Sequence, residues 1–165
     1  MDLIYCFAVL LRQPFPQMLN GLLNADAIHR DLHSGNILYR KDTNEWFIGD
    51  LRFCGPIDKP LKSVYGNFPY IAPEVMFGKE STKASDIYSI GMLMWEISSG
   101  QPPFAYFDHN YDLVMNIVNG MRPNIVSGTP IEYKELMIQF YSDKSLNSEE
   151  INRQQSDFTL FLLTK

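Results

Sequence analysis

Four side chains able to do polar chemistry, His29, Arg30, Asp31 and Asn36, fall within eight positions in "AIHRDLHSGNILYR". A fifth, Asp50, closes the strand-like run "WFIGD". Between "NILYR" and "WFIGD" lies "KDTNE", whose Asp, Thr and Asn are turn formers, so a β-hairpin is expected. If it folds about Thr43, Asn36 and Asp50 are equidistant from the turn, and two oxygen ligands meet at the open end of the hairpin. Taken alone, His-Arg-Asp reads first as a loop whose Asp caps a backbone turn.

The elements that must hold these residues are mostly helical. Residues 2–12 read as a helix that Pro14 and Pro16 interrupt, since proline lacks the N–H and clashes with the preceding turn. A short helical piece follows around Met18 to Asn24. The segment "GPIDKPLKSVYGNFP" is loop-like. From Lys83 to Ser99 the apolar residues Ile87, Tyr88, Ile90, Leu93, Met94, Trp95 and Ile97 cover nearly the whole circumference at helical spacing, as in a helix buried on all sides. Ser81, Thr82 or Ser85 can cap its start, and Gly100 before Pro102 and Pro103 ends it. Helical periodicity returns at 112–119 and 131–141. Met92, Met94, Met115 and Met137 sit inside these patterns and read as core filler.

Bulk properties exclude several classes. With 165 residues and 45% hydrophobic content the chain can bury one sizeable core. A formal charge of -5, with both signs interspersed, offers no positive field for a phosphate backbone, so nucleic acid and membrane surfaces are not the expected partners. The apolar run Leu3 to Leu11 is too short to cross a bilayer and lacks the basic flank of a signal peptide. Cys6 and Cys54 form neither a disulfide framework nor a zinc site, which fits a reducing, cytoplasmic setting.

His29-Arg30-Asp31-Leu32 with Asn36 five residues past Asp31 resembles the catalytic loop of protein kinases. Other blocks of that family follow in order. Asp50 stands where kinases carry the metal-binding Asp of D-F-G, and "APE" occurs at Ala72, Pro73 and Glu74. The helix "KASDIYSIGMLMWEISSG" resembles the central helix of the C-terminal lobe. The resemblance covers roughly residues 18–141 and, in "HRDLHSGN" and "DIYSIGMLMWEI", is most similar to the tyrosine-kinase-like group.

The resemblance implies ATP and Mg2+ as cofactors, with phosphoryl transfer to a protein Ser/Thr or Tyr hydroxyl in signal transduction. Asp31 would orient the acceptor and take its proton, and Asn36 and Asp50 would hold magnesium. His29, Arg30, Glu74 and Asp86 would be structural supports. Asp86 either fastens the backbone of the His-Arg-Asp loop or merely complements the positive end of its helix. Ser63 and Tyr65 are candidate phosphosites that could order the loop against Arg30. The expected fold is mainly α (α+β): a protein-kinase-like C-terminal lobe with a small β-hairpin. Residues 1–141 would form this partial kinase domain, with 142–165 a divergent tail for which disorder is the expectation.

The chain also departs from the family. No G-x-G-x-x-G is present, and no Lys or Glu precedes Asp31, so the N-terminal lobe is expected to be missing. Leu51 and Arg52 replace the Phe and Gly of D-F-G, placing a positive charge beside the metal position, at a site where an Arg resists conformations open to glycine. His33 stands where many Ser/Thr kinases carry Lys, and Asn67 replaces a common Thr. Only Arg153 follows Arg122, so a buried Glu74 would lack its family partner, at a cost on the order of several kcal/mol. These departures support a second expectation, an impaired kinase fragment or pseudokinase serving as a protein-binding scaffold. Oligomeric state is left open.

Overall fold

The computed structural model describes residues 27–56 and 67–142, with Met18, Gly21, Leu22, Asn24 and Ala25 ahead of them. The helix expected over 2–12, Cys6, Ser63 and Tyr65, and the tail beyond Ser142 lie outside the described residues. Met18, Gly21, Leu22 and Asn24 are helical, as the sequence predicts.

Strands β2 (Ile37–Arg40) and β3 (Glu45–Ile48) form the expected antiparallel hairpin. Its register differs from the expected one. Ile37 faces Ile48 and Arg40 faces Glu45, around a four-residue turn from Lys41 to Asn44. An even turn puts the axis between Asp42 and Thr43 instead of on Thr43. The left-handed backbone at Asn44 (φ 56°) closes the turn, and Tyr39 Oη donates to Asn44 Oδ1 at 2.6 Å. Asn36 is therefore bridged to Gly49, whose N–H donates to the Asn36 carbonyl at 2.7 Å, and Asp50 lies one residue further on. A shift of one residue reverses which face a strand side chain takes, so the facing pair Asn36 and Asp50 is not formed by register.

A second two-stranded sheet, unanticipated because each strand has only two residues, pairs β1 (Ala27–Ile28) with β4 (Gly55–Pro56) in antiparallel fashion. It joins the start of the His-Arg-Asp loop to the end of the segment that carries Asp50 and Arg52.

Helix α1 (Pro73–Met76) is a single turn, and α2 (Lys83–Ser99) is the buried central helix. Thr82 caps α2 through a reciprocal box: Ser85 N–H donates to Thr82 Oγ1 at 3.3 Å, and Thr82 N–H donates to Ser85 Oγ at 3.0 Å. Gly100, at φ 71°, ends the helix in the left-handed conformation that glycine adopts without penalty. Ile87, Ile90 and Met92 are fully buried.

Helix α3 (Tyr111–Val118) buries Leu113 and Ile117, and Asn110 Oδ1 caps it by accepting from Leu113 N–H at 3.1 Å. Helix α4 (Ile131–Tyr141) lies against α2, with Tyr133, Met137 and Phe140 in the shared core. Of the four methionines expected in the core, Met92, Met94 and Met137 are buried, and Met115 is only half-buried on α3. Arg122 ties the last two helices together, donating to the carbonyls of Ile117, Met121 and Tyr141 at 2.8 to 2.9 Å.

The α2–α4 contact depends on Gly91. A Cβ there would sit 2.9 Å from Phe140 Cβ and 3.1 Å from Tyr141 N, so the main chain of α4 would have to retreat. Gly91→Ala gains helix propensity of about 1 kcal/mol. Overpacking against backbone costs about 1 to 3 kcal/mol, which matches or exceeds that gain. A net loss of up to about 2 kcal/mol is expected in urea unfolding; a raised midpoint would show that α4 docks more loosely than this distance implies.

Candidate active site

The loop after β1 carries the site. His29 is fully buried and bonded on three sides: its N–H donates to Asp86 Oδ2 at 2.7 Å, its Nε2 lies 3.0 Å from the Gly49 carbonyl, and its Nδ1 accepts from Asp31 N–H at 3.3 Å. This network requires the tautomer with hydrogen on Nε2. His29 thus links the segment bearing Asp31 to the residue that precedes Asp50.

Arg30 takes a left-handed backbone (φ 71°), uncommon for a residue with a Cβ. Its N–H donates to Asp86 Oδ1 at 3.0 Å, and its Nη1 donates to the Phe53 carbonyl at 2.9 Å. These two bonds hold the unfavourable conformation from both sides. The guanidinium passes so close to β4 that a Cβ at Gly55 would lie 2.7 Å from Nη1, so any larger residue there requires the end of the Arg30 side chain to move aside.

Asp86, buried in the first turn of α2, therefore accepts two backbone N–H bonds from the loop. Of its two expected roles, fastening the loop is the one the geometry displays. Burial pushes the Asp86 carboxyl above the usual carboxylate range, opposed by those two N–H donors.

Asp31 points into the same region with its side chain only 10% exposed. Asn36, at the end of the short 3-10 turn Ser34–Asn36, donates through Nδ2 to the Asp31 carbonyl at 2.8 Å and to Asp31 Oδ2 at 3.3 Å. This orientation makes the side-chain oxygen Oδ1 of Asn36 the atom that could face a cation. His33 Nε2 lies 3.8 Å from Asp31 Oδ2, while His33 Nδ1 accepts from Gly35 N–H at 3.1 Å. Asp31, Asn36, His29 and Asp86 are thus brought together.

Asp50 is differently placed. Arg52 clamps it: Nε donates to Oδ1 at 2.7 Å and Nη2 to Oδ2 at 2.6 Å, a bidentate fork that engages both carboxylate oxygens. The guanidinium holds the Asp50 carboxyl down to about 2. A depressed carboxyl contributes stability above its ordinary value of 3.8, and that contribution is lost as pH falls through about 2; at this solvated position it is small. The pair is thus charged at any physiological pH. Arg52 escapes the anticipated backbone penalty, because the left-handed residue of this corner is Asp50 (φ 53°), and Asp tolerates that conformation.

Magnesium takes hard oxygen ligands, and the donor types of Asp31, Asn36 and Asp50 fit it. At Asp50 the Arg52 guanidinium already engages both oxygens and places a positive charge against an incoming cation. Among the described residues, no group of three or more His, Cys, Asp or Glu is arranged to hold a metal ion.

Glu74 corrects another expectation. It is only partly buried and has an interaction partner, so the desolvation cost of a buried lone carboxylate does not arise. Two supports were not foreseen. Tyr70 Oη donates to Glu96 Oε2 at 2.7 Å, and Ser89 Oγ donates to the Tyr70 carbonyl at 2.7 Å, binding the segment ahead of "APE" to α2. Ser89 lies four residues after Ser85 on the helix, so a polar pair on an otherwise apolar face was the available signal.

Comparison with known proteins agrees with this geometry. Residues 12–159 match the Protein kinase domain family. The chain is 33% identical over 117 residues, 69% of its length, to a probable serine/threonine-protein kinase of Dictyostelium discoideum. It is 31% identical over 126 residues, 73% of its length, to the serine/threonine-protein kinase WNK of Caenorhabditis elegans. To a probable leucine-rich repeat receptor-like protein kinase of Arabidopsis thaliana it is 34% identical over 103 residues, 60% of its length. The matched segments span 7 to 9% of these relatives' own lengths. A family match that takes in the Asp31 loop, the Asp50 segment and the buried helix together leaves one assignment: the chain belongs to the protein kinase domain family.

Proposed function

We propose that the chain transfers the γ-phosphoryl group of ATP to a protein hydroxyl, with Asp31 orienting the acceptor and receiving its proton. The observation that carries this reading is the clamp on Asp31: Asn36 on one side, His29 beneath and Asp86 fastening the loop to α2. Phosphoryl transfer needs positioning and charge stabilisation more than covalent help, and a loop backbone held this firmly, with Asn36 Nδ2 also 3.3 Å from Asp31 Oδ2, supplies the positioning. Asn36 and Asp50 would hold Mg2+ once Arg52 releases the carboxylate, and the ion would supply charge neutralisation on the phosphates. The names of the Dictyostelium and Caenorhabditis relatives favour a Ser/Thr acceptor. We assign the described residues to the helical C-terminal lobe, of the tyrosine-kinase-like group, in a cytoplasmic protein. Ser63 and Tyr65 remain the proposed phosphosites. No helix among the described residues is long and apolar enough to cross a membrane.

The clamped Asp50 favours a second reading, a pseudokinase-like scaffold that binds protein partners. An open concavity of about 520 Å³, lined by Met18, Leu22, Trp46, Ile48, Leu51 and Cys54 among others, is consistent with it. Incubating the chain with γ-labelled ATP, Mg2+ and a mixed protein substrate separates the two. The transferase reading expects label in protein, with a rise in melting temperature on adding Mg2+ and ATP that Asp50→Ala abolishes. Neither label nor shift leaves the scaffold.

A further inference from the structure

Asp50 and Arg52 are two residues apart at an exposed corner, and their contact is a matched fork. Two guanidinium nitrogens meet the two carboxylate oxygens at 2.7 and 2.6 Å, and Arg52 N–H adds a longer contact to Oδ1 at 3.4 Å. A divalent cation on Asp50 draws on the same two oxygens, at about 2.0 to 2.1 Å for magnesium, with only the lone pairs that the fork leaves open. It would also bring a double positive charge against the guanidinium. The two therefore compete for the carboxylate.

The rest of the site does not compensate. Asp31 is engaged with Asn36 and approached by His33, and the described residues contain no other acidic cluster suited to a metal. Arg52 itself is 77% exposed, and its guanidinium lies 5.8 Å from the Phe53 ring centroid, so it can leave Asp50 for solvent without disturbing the core.

We propose that Arg52 is a resident cation of the Asp50 carboxylate that competes with divalent metal, so that metal binding at this site is weakened and is set by the release of Arg52. The proposal rests on the reading of Asp50 as the cation-binding residue. It goes further by naming the residue that regulates that site: Arg52 acts through Asp50 and is a positioning residue, not a catalytic one.

Mn2+ is the probe, titrated into the full 165-residue chain without nucleotide and followed by the loss of the free-ion signal in electron paramagnetic resonance. Arg52→Ala is expected to bind one Mn2+ about tenfold more tightly than wild type, the scale of a displaced charge-assisted hydrogen-bonded pair. The gain should vanish in Arg52→Ala/Asp50→Asn. Arg52→Gln, which keeps the length and removes the charge, should reproduce it and carries the test if Arg52→Ala melts early. Equal affinities for wild type and both single variants overturn the proposal. So does a gain that survives Asp50→Asn, since the ion would then sit elsewhere. The titration requires neither ATP nor turnover. Tighter Mn2+ binding with no label transfer sinks the transferase reading alone, and label transfer with unchanged Mn2+ binding sinks this one alone.

Discussion

Asp31→Asn is expected to slow phosphoryl transfer by about 100- to 10,000-fold, the range over which a positioned general base contributes. The substitution is nearly isosteric. The backbone carbonyl of residue 31 still accepts from Asn36 Nδ2 at 2.8 Å, and the new amide oxygen can take the place of Oδ2 at 3.3 Å. The loop should therefore keep its shape, with unfolding free energy within about 0.5 kcal/mol of wild type. What is lost is a carboxylate able to accept the hydroxyl proton, since an amide has no comparable basicity. Single-turnover transfer at saturating ATP, read beside a urea unfolding curve, separates the two effects. A variant within about threefold of wild type would remove Asp31 from the chemistry, whatever its geometry.

Asp86→Ala should lower stability by about 3 to 5 kcal/mol, a large fraction of the ~5 to 15 kcal/mol that holds an ordinary domain together. Two backbone N–H groups, those of His29 and Arg30, would lose their acceptors at 2.7 and 3.0 Å. Each buried donor left without a partner costs about 1 to 3 kcal/mol. Arg30 would also lose one of the two bonds that hold its left-handed backbone. Relief of the buried charge offsets part of the sum, since burial already raises the Asp86 carboxyl. Asp86→Asn should fall between, because its single carbonyl oxygen serves one N–H while its amide nitrogen opposes the other. Urea midpoints at constant slope are the measurement. If Asp86 only complemented the positive end of α2, the loss would stay within about 0.3 to 1 kcal/mol, so the two roles give well-separated results.

Much of the site was legible because its parts are local in sequence. Asp31 and Asn36 are five residues apart, and the single turn between them suffices to bring amide and carboxylate together. The buried course of α2 was also legible, since apolar residues around a whole helical circumference can be satisfied only by burial. Thr82, Ser85 and Gly100 mark its ends with chemistry that acts within four residues.

Where the reading failed, the deciding quantity was not local. The hairpin axis turned on whether three or four residues form the turn, which "KDTNE" leaves open, and that parity moved Asp50 out of register with Asn36. The two-residue strands β1 and β4 are too short to leave any alternation, and exist because the folded loop brings Ile28 and Gly55 side by side. Arg52 could be seen as a charge near a metal position. Whether it would resist the backbone, dilute the site or clamp it depended on which residue took the positive φ, and that residue is Asp50.

The sequence by itself determined which family's chemistry this chain carries, through residue types at short fixed spacings. Only the tertiary structure decided how that chemistry is held: Asp86 reaches His29 across 57 residues, and Arg52 turns its guanidinium onto both oxygens of Asp50. Spacing along a chain constrains contacts within a turn or two, whereas an acceptor for a distant N–H, or the partner of a charge, is chosen by packing and backbone conformation together.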